Sequence, residues 1–135
     1  MCKIKNGEIP SYKLYEDDDF IVILDKFPSG LGHTLIITKE HYENIYQLDK
    51  DVAKRLFPLI KKFSKILHDS MDIHGINILQ NNGQDAGQTI NHFHVHLIPR
   101  LKDDAIKFEW ENLDVTDDEF SKVLKDIKEK ISETE

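Results

Sequence analysis

"NHFHVHLIPR", residues 91–100, sets His92, His94 and His96 at alternate positions, with Phe93, Val95 and Leu97 between them. In a strand, side chains two apart share a face. The histidines would then line one side at steps of about 6.6 Å while the apolar residues turn to the core. In a helix His94 would lie opposite His92 and His96, and the apolar residues would scatter. The strand reading is the consistent one, and it commits one sheet face to a hydrophobic core and the other to imidazoles. A single histidine on a strand is most often a solvated polar group. Three in register disfavour one another's protonation and so stay largely neutral near pH 7, available as nucleophiles, bases or metal ligands.

Working outward, the preceding loop "NNGQDAGQTIN" (81–91) carries Gly83 and Gly87, which let backbone N–H groups approach a ligand closely, as phosphate sites require. "INILQ" (76–80) reads as the strand before it. Nearer the start, "YKLYE" (12–16) and "FIVILD" (20–25) read as strands joined by the acidic turn Asp17–Asp19. After the breaker cluster "FPSGLG", "HTLIITK" (33–39) is short and β-branched, a further strand. From Asp49, a plausible N-cap, the spacing of Val52, Leu56, Leu59, Phe63, Leu67 and Met71 is helical, with a bend expected at Pro58. Thr116 and Glu119 form a capping-box signature for a C-terminal helix over about 117–132, with Phe120, Val123, Leu124, Ile127 and Ile131 on one face. The sum is a single α+β domain, 1–135: a mostly antiparallel five-stranded sheet with helices packed on one side.

Composition narrows the function classes. The chain has 135 residues, 39% of them hydrophobic and 32% charged, as in ordinary soluble domains. No apolar run approaches the length of a bilayer-crossing helix, and "MCKIKNGEIP" has no apolar signal core, so a cytoplasmic location and no membrane partner are expected. The lone Cys2 cannot form an intramolecular disulfide. A net charge of −7 opposes sequence-independent binding to long nucleic acids, which rests on neutralising many phosphates. One or two phosphates on a small ligand need only local donors.

The chain resembles the histidine-triad (HIT) nucleotide hydrolases and transferases, whose signature of His-x-His-x-His followed by apolar residues is matched by "HFHVHLI". "KIKNGEIPSYKLYEDDDFIVILDKFPSGLGHTLIITKEH" is similar to the family's N-terminal half, and "NNGQDAGQTINHFHVHLIPR" to its active-site strand and loop, so the likeness covers most of a core over 3–100. The resemblance implies that His94 attacks the α-phosphorus of a purine nucleotide to give a nucleotidyl-histidine that water cleaves. It implies that a backbone carbonyl near His92 holds the other ring N–H of His94. His96 would hold a phosphate oxygen or help the leaving group, and His92 would support from behind. Gln88 and Thr89 match positions on the leaving-group side, and Asn81 and Gly87 positions at sugar and phosphate. Asp25 matches the acceptor for the ribose hydroxyls; without the family it reads also as a turn residue before "KFPSG". Base contacts fall in the region of Phe20, Ile23 and Leu24. Dinucleoside polyphosphates and nucleoside phosphoramidates are the implied substrates, with "GQT…HVH…PR" leaning towards the former. His96 stands where the hexose-phosphate uridylyltransferase branch has glutamine. A homodimer with one continuous sheet is also implied.

Some family members hold a structural zinc with a Cys-x-x-Cys pair, the histidine of "KEH" and the first triad histidine. Here Cys2, His41 and His92 match, but a second cysteine is missing, so an occupied site is not expected. His33 precedes its strand where the family has Gly-His and borders the pocket on that likeness. His68 and His74 read as surface residues, and Arg100 as solvating a strand end. Two readings of other classes compete with the hydrolase: a metal-dependent enzyme with zinc or iron on the histidine row, and a non-catalytic nucleotide-binding module.

Overall fold

The computed structural model describes residues 12–134. Cys2 and the start of the expected core therefore lie outside the described residues. The strands are β1 (Tyr12–Glu16), β2 (Phe20–Leu24) and β3 (Thr34–Thr38); after helix α1 (Lys50–Ser70) come β4 (Gly75–Leu79), β5 (His94–Arg100) and helix α2 (Asp117–Thr134). All five strands form one sheet in the order β1-β2-β3-β5-β4, and every pairing is antiparallel. The β1–β2 hairpin turns on Asp17, whose carboxylate accepts the backbone N–H groups of Asp19 and Phe20. Asp18 and Asp19 complete the acidic turn.

Alternation along the strands sorts the two faces. Phe20, Val22, Ile36, Val95 and Leu97, joined by Phe93 just ahead of β5, pack with Val52, Leu56, Leu59, Ile60, Phe63 and Leu67 of α1 into one core. Each large aliphatic or aromatic side chain fully buried there is worth about 1.5–3 kcal/mol of transfer free energy. Asp49 caps α1, accepting the N–H groups of Asp51 and Val52, and the helix runs unbroken through Pro58. On the opposite face Ile21, Ile23, Leu35 and Ile37 form a second buried cluster. His94 and His96 share that face, because His94 pairs with Ile37 and His96 with Leu35 in the antiparallel register.

Two differences from the sequence reading stand out. β5 begins at His94, not His92: the Phe93 N–H is taken by the carbonyl of Tyr42 at 2.7 Å, and the Phe93 carbonyl keeps only a long 3.5 Å backbone bond from the Thr38 N–H, so regular pairing starts one residue later. Among the described helices, α1 is the one that covers a sheet face. The C-terminal helix forms with its Thr116/Glu119 capping box, yet it buries no residue, and Phe120, Val123, Leu124, Ile127 and Ile131 are all exposed. No helix among the described residues is long and apolar enough to cross a membrane.

Candidate active site

The second sheet face opens into a cleft of about 510 Å³, within the size range of small-molecule sites. Its floor is His94 and His96 of β5 with Leu35 of β3; the β4–β5 loop supplies Asn81, Gly87 and Thr89 on one wall, and the β2–β3 loop supplies Asp25 and Phe27 on another. The segment after β5 adds Ile106, Lys107 and Phe108. Arg100 holds that segment in place through bonds to Asp104, Asn77 and the carbonyl of Ile106. It thus binds the chain rather than solvating a strand end, and its charge keeps the Asp104 carboxyl down at about 2.

His94 Nδ1 lies 2.7 Å from the carbonyl oxygen of His92. A carbonyl only accepts, so Nδ1 carries the hydrogen and the Nε2 lone pair is left free, with no hydrogen-bond partner among the described residues. His96 stands beside it, ring centroids 4.9 Å apart. Burial is the main reason its pKa falls to about 4, with His94 and His33 adding to the depression and Asp25 opposing it. His96 is accordingly neutral at pH 7.

His92 turns away from the cleft. Its ring is buried, with Nε2 donating to the carbonyl of Thr38 at 2.7 Å and Nδ1 3.1 Å from His41 Nδ1. It gives the cleft its backbone carbonyl, not its imidazole, so the expected row of three rings is a pair plus a separate pair, His41 with His92. That second pair bears on the zinc match. A ring fixed from behind by a carbonyl is the usual setting of a ligand histidine, but an N–H···N hydrogen bond accounts equally for the 3.1 Å separation. Among the described residues this pair contributes two nitrogens, and a tetrahedral site takes four ligands.

Gln88 departs furthest from expectation. Its buried amide accepts the Gly83 N–H at 2.8 Å and donates to the carbonyls of Glu43 and Ile90, at 2.7 and 3.1 Å. Both amide hydrogens and an oxygen lone pair are used in stapling the loop, so the side chain has no donor left for a leaving group. Thr89 and Asn81, by contrast, line the cleft with side-chain polar atoms that have no partner among the described residues. Gly87 sits at φ +91°, left-handed backbone that glycine adopts freely. Asp25 divides its carboxylate: Oδ1 accepts the Phe27 N–H at 2.9 Å as a turn residue would, and Oδ2 faces the cleft 3.6 Å from His33 Nε2.

The three apolar positions expected near the base divide among different surroundings. Phe20 belongs to the helix-side core and Ile23 to the opposite cluster, while Leu24 borders a shallower neighbouring groove. His33, nearly fully buried, lines the cleft, and its partners are what sequence reasoning did not supply. Its Nδ1 is 3.0 Å from the Ser29 N–H and its Nε2 2.9 Å from His96 Nδ1. Asp25, His33 and His96 bring three ligand-type atoms within 4.8 Å of one another. A metal there would compete with the hydrogen occupying the 2.9 Å gap between the two rings, which disfavours the metal-enzyme reading.

A cleft floored by a histidine whose Nδ1 is held by a carbonyl, beside a neutral second histidine, on an antiparallel sheet with a long helix behind it, defines a class, and comparison with known proteins agrees. The HIT domain model matches residues 6–103, and the chain belongs to that family. It is an enzyme of the histidine-triad type. "Protein hit" of Bacillus subtilis is 42% identical over 81% of this chain and 76% of its own length. An adenosine 5'-monophosphoramidase of Candida albicans is 35% identical over 99% and 91%. The crystal structure of a histidine triad nucleotide-binding protein from Candida albicans superposes with a TM-score of 0.87 at 34% identity, covering 99% and 97%.

Proposed function

We propose that the enzyme hydrolyses purine nucleotides at the α-phosphate through a covalent nucleotidyl-His94. The observation that carries this reading is the 2.7 Å contact of His94 Nδ1 with the His92 carbonyl, which leaves the Nε2 lone pair at the cleft floor. In the first step Nε2 forms a bond to phosphorus and the bond from phosphorus to the leaving atom breaks; its electron pair goes with the leaving group, which takes up a proton from solvent, and the water of the second step returns one. The positive charge that develops on the ring is stabilised through Nδ1–H by the carbonyl. In the second step water displaces the histidine, giving the nucleoside monophosphate and restoring the lone pair. Asn81 and Thr89 present side-chain donors on the phosphate side, where Gly87, its own N–H given to the Gln84 carbonyl, leaves room for close approach, and the Oδ2 of Asp25 is the acceptor offered to ribose hydroxyls.

The leaving group we favour is an amine, as in a nucleoside phosphoramidate, on the strength of the full-length likeness to the Candida albicans monophosphoramidase. A dinucleoside polyphosphate is the second reading, supported by Lys107 at the cleft, a cation with no ion-pair partner among the described residues. Rapid quench into alkaline denaturant, in which a phosphorus–histidine bond survives, of the enzyme with α-³²P-labelled adenosine phosphoramidate tests the mechanism: label should remain on the protein and disappear in His94→Ala. An unlabelled wild-type protein during turnover would remove the covalent step. Turnover of the phosphoramidate against diadenosine tri- and tetraphosphate separates the two leaving groups.

We further propose a homodimer joined along β4. That strand is an edge of the sheet, and Ile78 on it is exposed. Sedimentation equilibrium should give twice the 15.8 kDa chain mass, and a monomer at micromolar concentration would refute the pairing.

A further inference from the structure

We infer that His33 is a positioning residue that fixes His96 as the Nε2–H tautomer, making His96 a hydrogen-bond donor to the phosphoryl oxygens and not the acid that protonates the leaving group. The inference deepens the hydrolase reading and rests on it for the phosphate in the cleft. The tautomer itself is a property of the protein alone.

The argument starts at a peptide bond. The Ser29 N–H donates to His33 Nδ1 at 3.0 Å, so that nitrogen holds a lone pair and the hydrogen of the neutral ring is on Nε2. Burial lowers the His33 pKa, which favours this neutral form. Nε2–H has two neighbours: His96 Nδ1 at 2.9 Å and Asp25 Oδ2 at 3.6 Å. The first is hydrogen-bond distance and the second is too long. His96 Nδ1 therefore accepts, and its own hydrogen lies on Nε2, the atom with no partner among the described residues.

The direction of the chain limits what His96 can do. To give up Nε2–H, His96 would have to draw a hydrogen onto Nδ1 from His33, which would in turn need one from the Ser29 amide. A peptide N–H does not yield its proton near neutral pH, so the chain orients and does not conduct. An N–H held in place and aimed at developing phosphoryl charge is an electrostatic stabiliser that needs no reorganisation. Neighbouring geometry keeps the amide on target: Gly32 in the same loop has φ +84°, and a Cβ there would lie 2.6 Å from Met71 Sδ, so the loop packs tightly on the end of α1.

Long-range ¹H–¹⁵N spectra of the full chain labelled at histidine read the tautomer directly, with His96 assigned by its loss in His96→Gln. Wild type should show His96 as Nε2–H, and His33→Ala should shift it to Nδ1–H or a mixture. In turnover, His33→Ala should lose on the order of tenfold to a hundredfold in kcat, with KM within about threefold. That loss should be equal for phosphoramidates of weakly and strongly basic amines, and His33→Gln, whose amide can still donate to His96 Nδ1, should recover part of it. An Nδ1–H tautomer for His96 in wild type overturns the inference outright, even where His33→Ala does not fold. An unchanged tautomer in folded His33→Ala does the same, and a loss that grows with amine basicity overturns the exclusion of acid catalysis. None of the spectra depends on the covalent adduct, so failure here and failure of the nucleophile assignment are separate results.

Discussion

His94 and Gln88 lie six residues apart, and the sequence treats them as parts of one motif, yet their surroundings give them opposite tasks. For His94 the strand periodicity and the family likeness lead to the same atom, because the carbonyl that holds its Nδ1 comes from two residues upstream and is therefore local. Gln88 has partners at Gly83, Glu43 and Ile90, and one of these is 45 residues away. A motif cannot display such a partner. The likeness put His33 at the pocket's border, but its bond was illegible for the same reason, its partner His96 being 63 positions distant. The contrast is testable by paired substitution. Gln88→Ala leaves the Gly83 N–H and two carbonyls without their buried partner, at about 1–3 kcal/mol, and should lower the melting temperature as well as kcat. Thr89→Ala, at an exposed residue with a free hydroxyl, should leave melting within about 0.5 kcal/mol of wild type and reduce turnover alone. Parallel thermal melts and assays distinguish these outcomes, and a Gln88→Ala protein of unchanged stability would return that side chain to the substrate.

At the scale of elements, the strands were legible because alternation with β-branched residues is local, and α1 because its apolar stripe and its cap agree. Asp49→Ala removes the side chain that accepts from Asp51 and Val52, with an expected cost of about 1 kcal/mol and a melting temperature lower by a few degrees. Since α1 backs the core face and not the cleft, KM should stay within about twofold in that variant. A change in KM without a change in melting would contradict the division of labour between the two sheet faces. The start of β5 was misjudged for a tertiary reason, the capture of the Phe93 N–H by Tyr42. That local break matters chemically, because it turns the His92 ring to His41 while leaving its carbonyl beneath His94. The position of α2 was not legible either: its stripe announces a helix but says nothing of what it packs against.

For the whole molecule, burying histidines in the neutral form ties the catalytic face to acid stability. Burial is the first cause lowering the pKa of His33, His92 and His96, the last to about 4, while in the unfolded chain each titrates near 6.5. Between those values the unfolded state binds more protons than the folded one, so unfolding free energy rises with pH and falls as pH drops from about 6.5 towards 4. Each group contributes at most about 1.4 kcal/mol per pH unit, and His96, which keeps some exposure at the cleft, less. The carboxylates act in a lower window: Glu16, Asp19 and Asp104 are held below their ordinary values by Lys39, Arg55 and Arg100, so their stabilisation is present above about 4 and is lost on further acidification. Melting temperature should therefore begin to fall below pH 6.5, well before these three carboxylates titrate. In His96→Asn, which has no proton to bind, the decline between pH 6.5 and 4 should be shallower, while the drop below pH 4 is unchanged. Asp25→Asn should act in the reverse sense, because its negative charge raises the pKa of both His33 and His96 and its loss widens the gap between folded and unfolded values. A wild-type melting temperature flat from pH 7 to 5 in scanning calorimetry would mean that these rings are charged in the folded protein, and the neutral donor assigned to His96 would be lost with it.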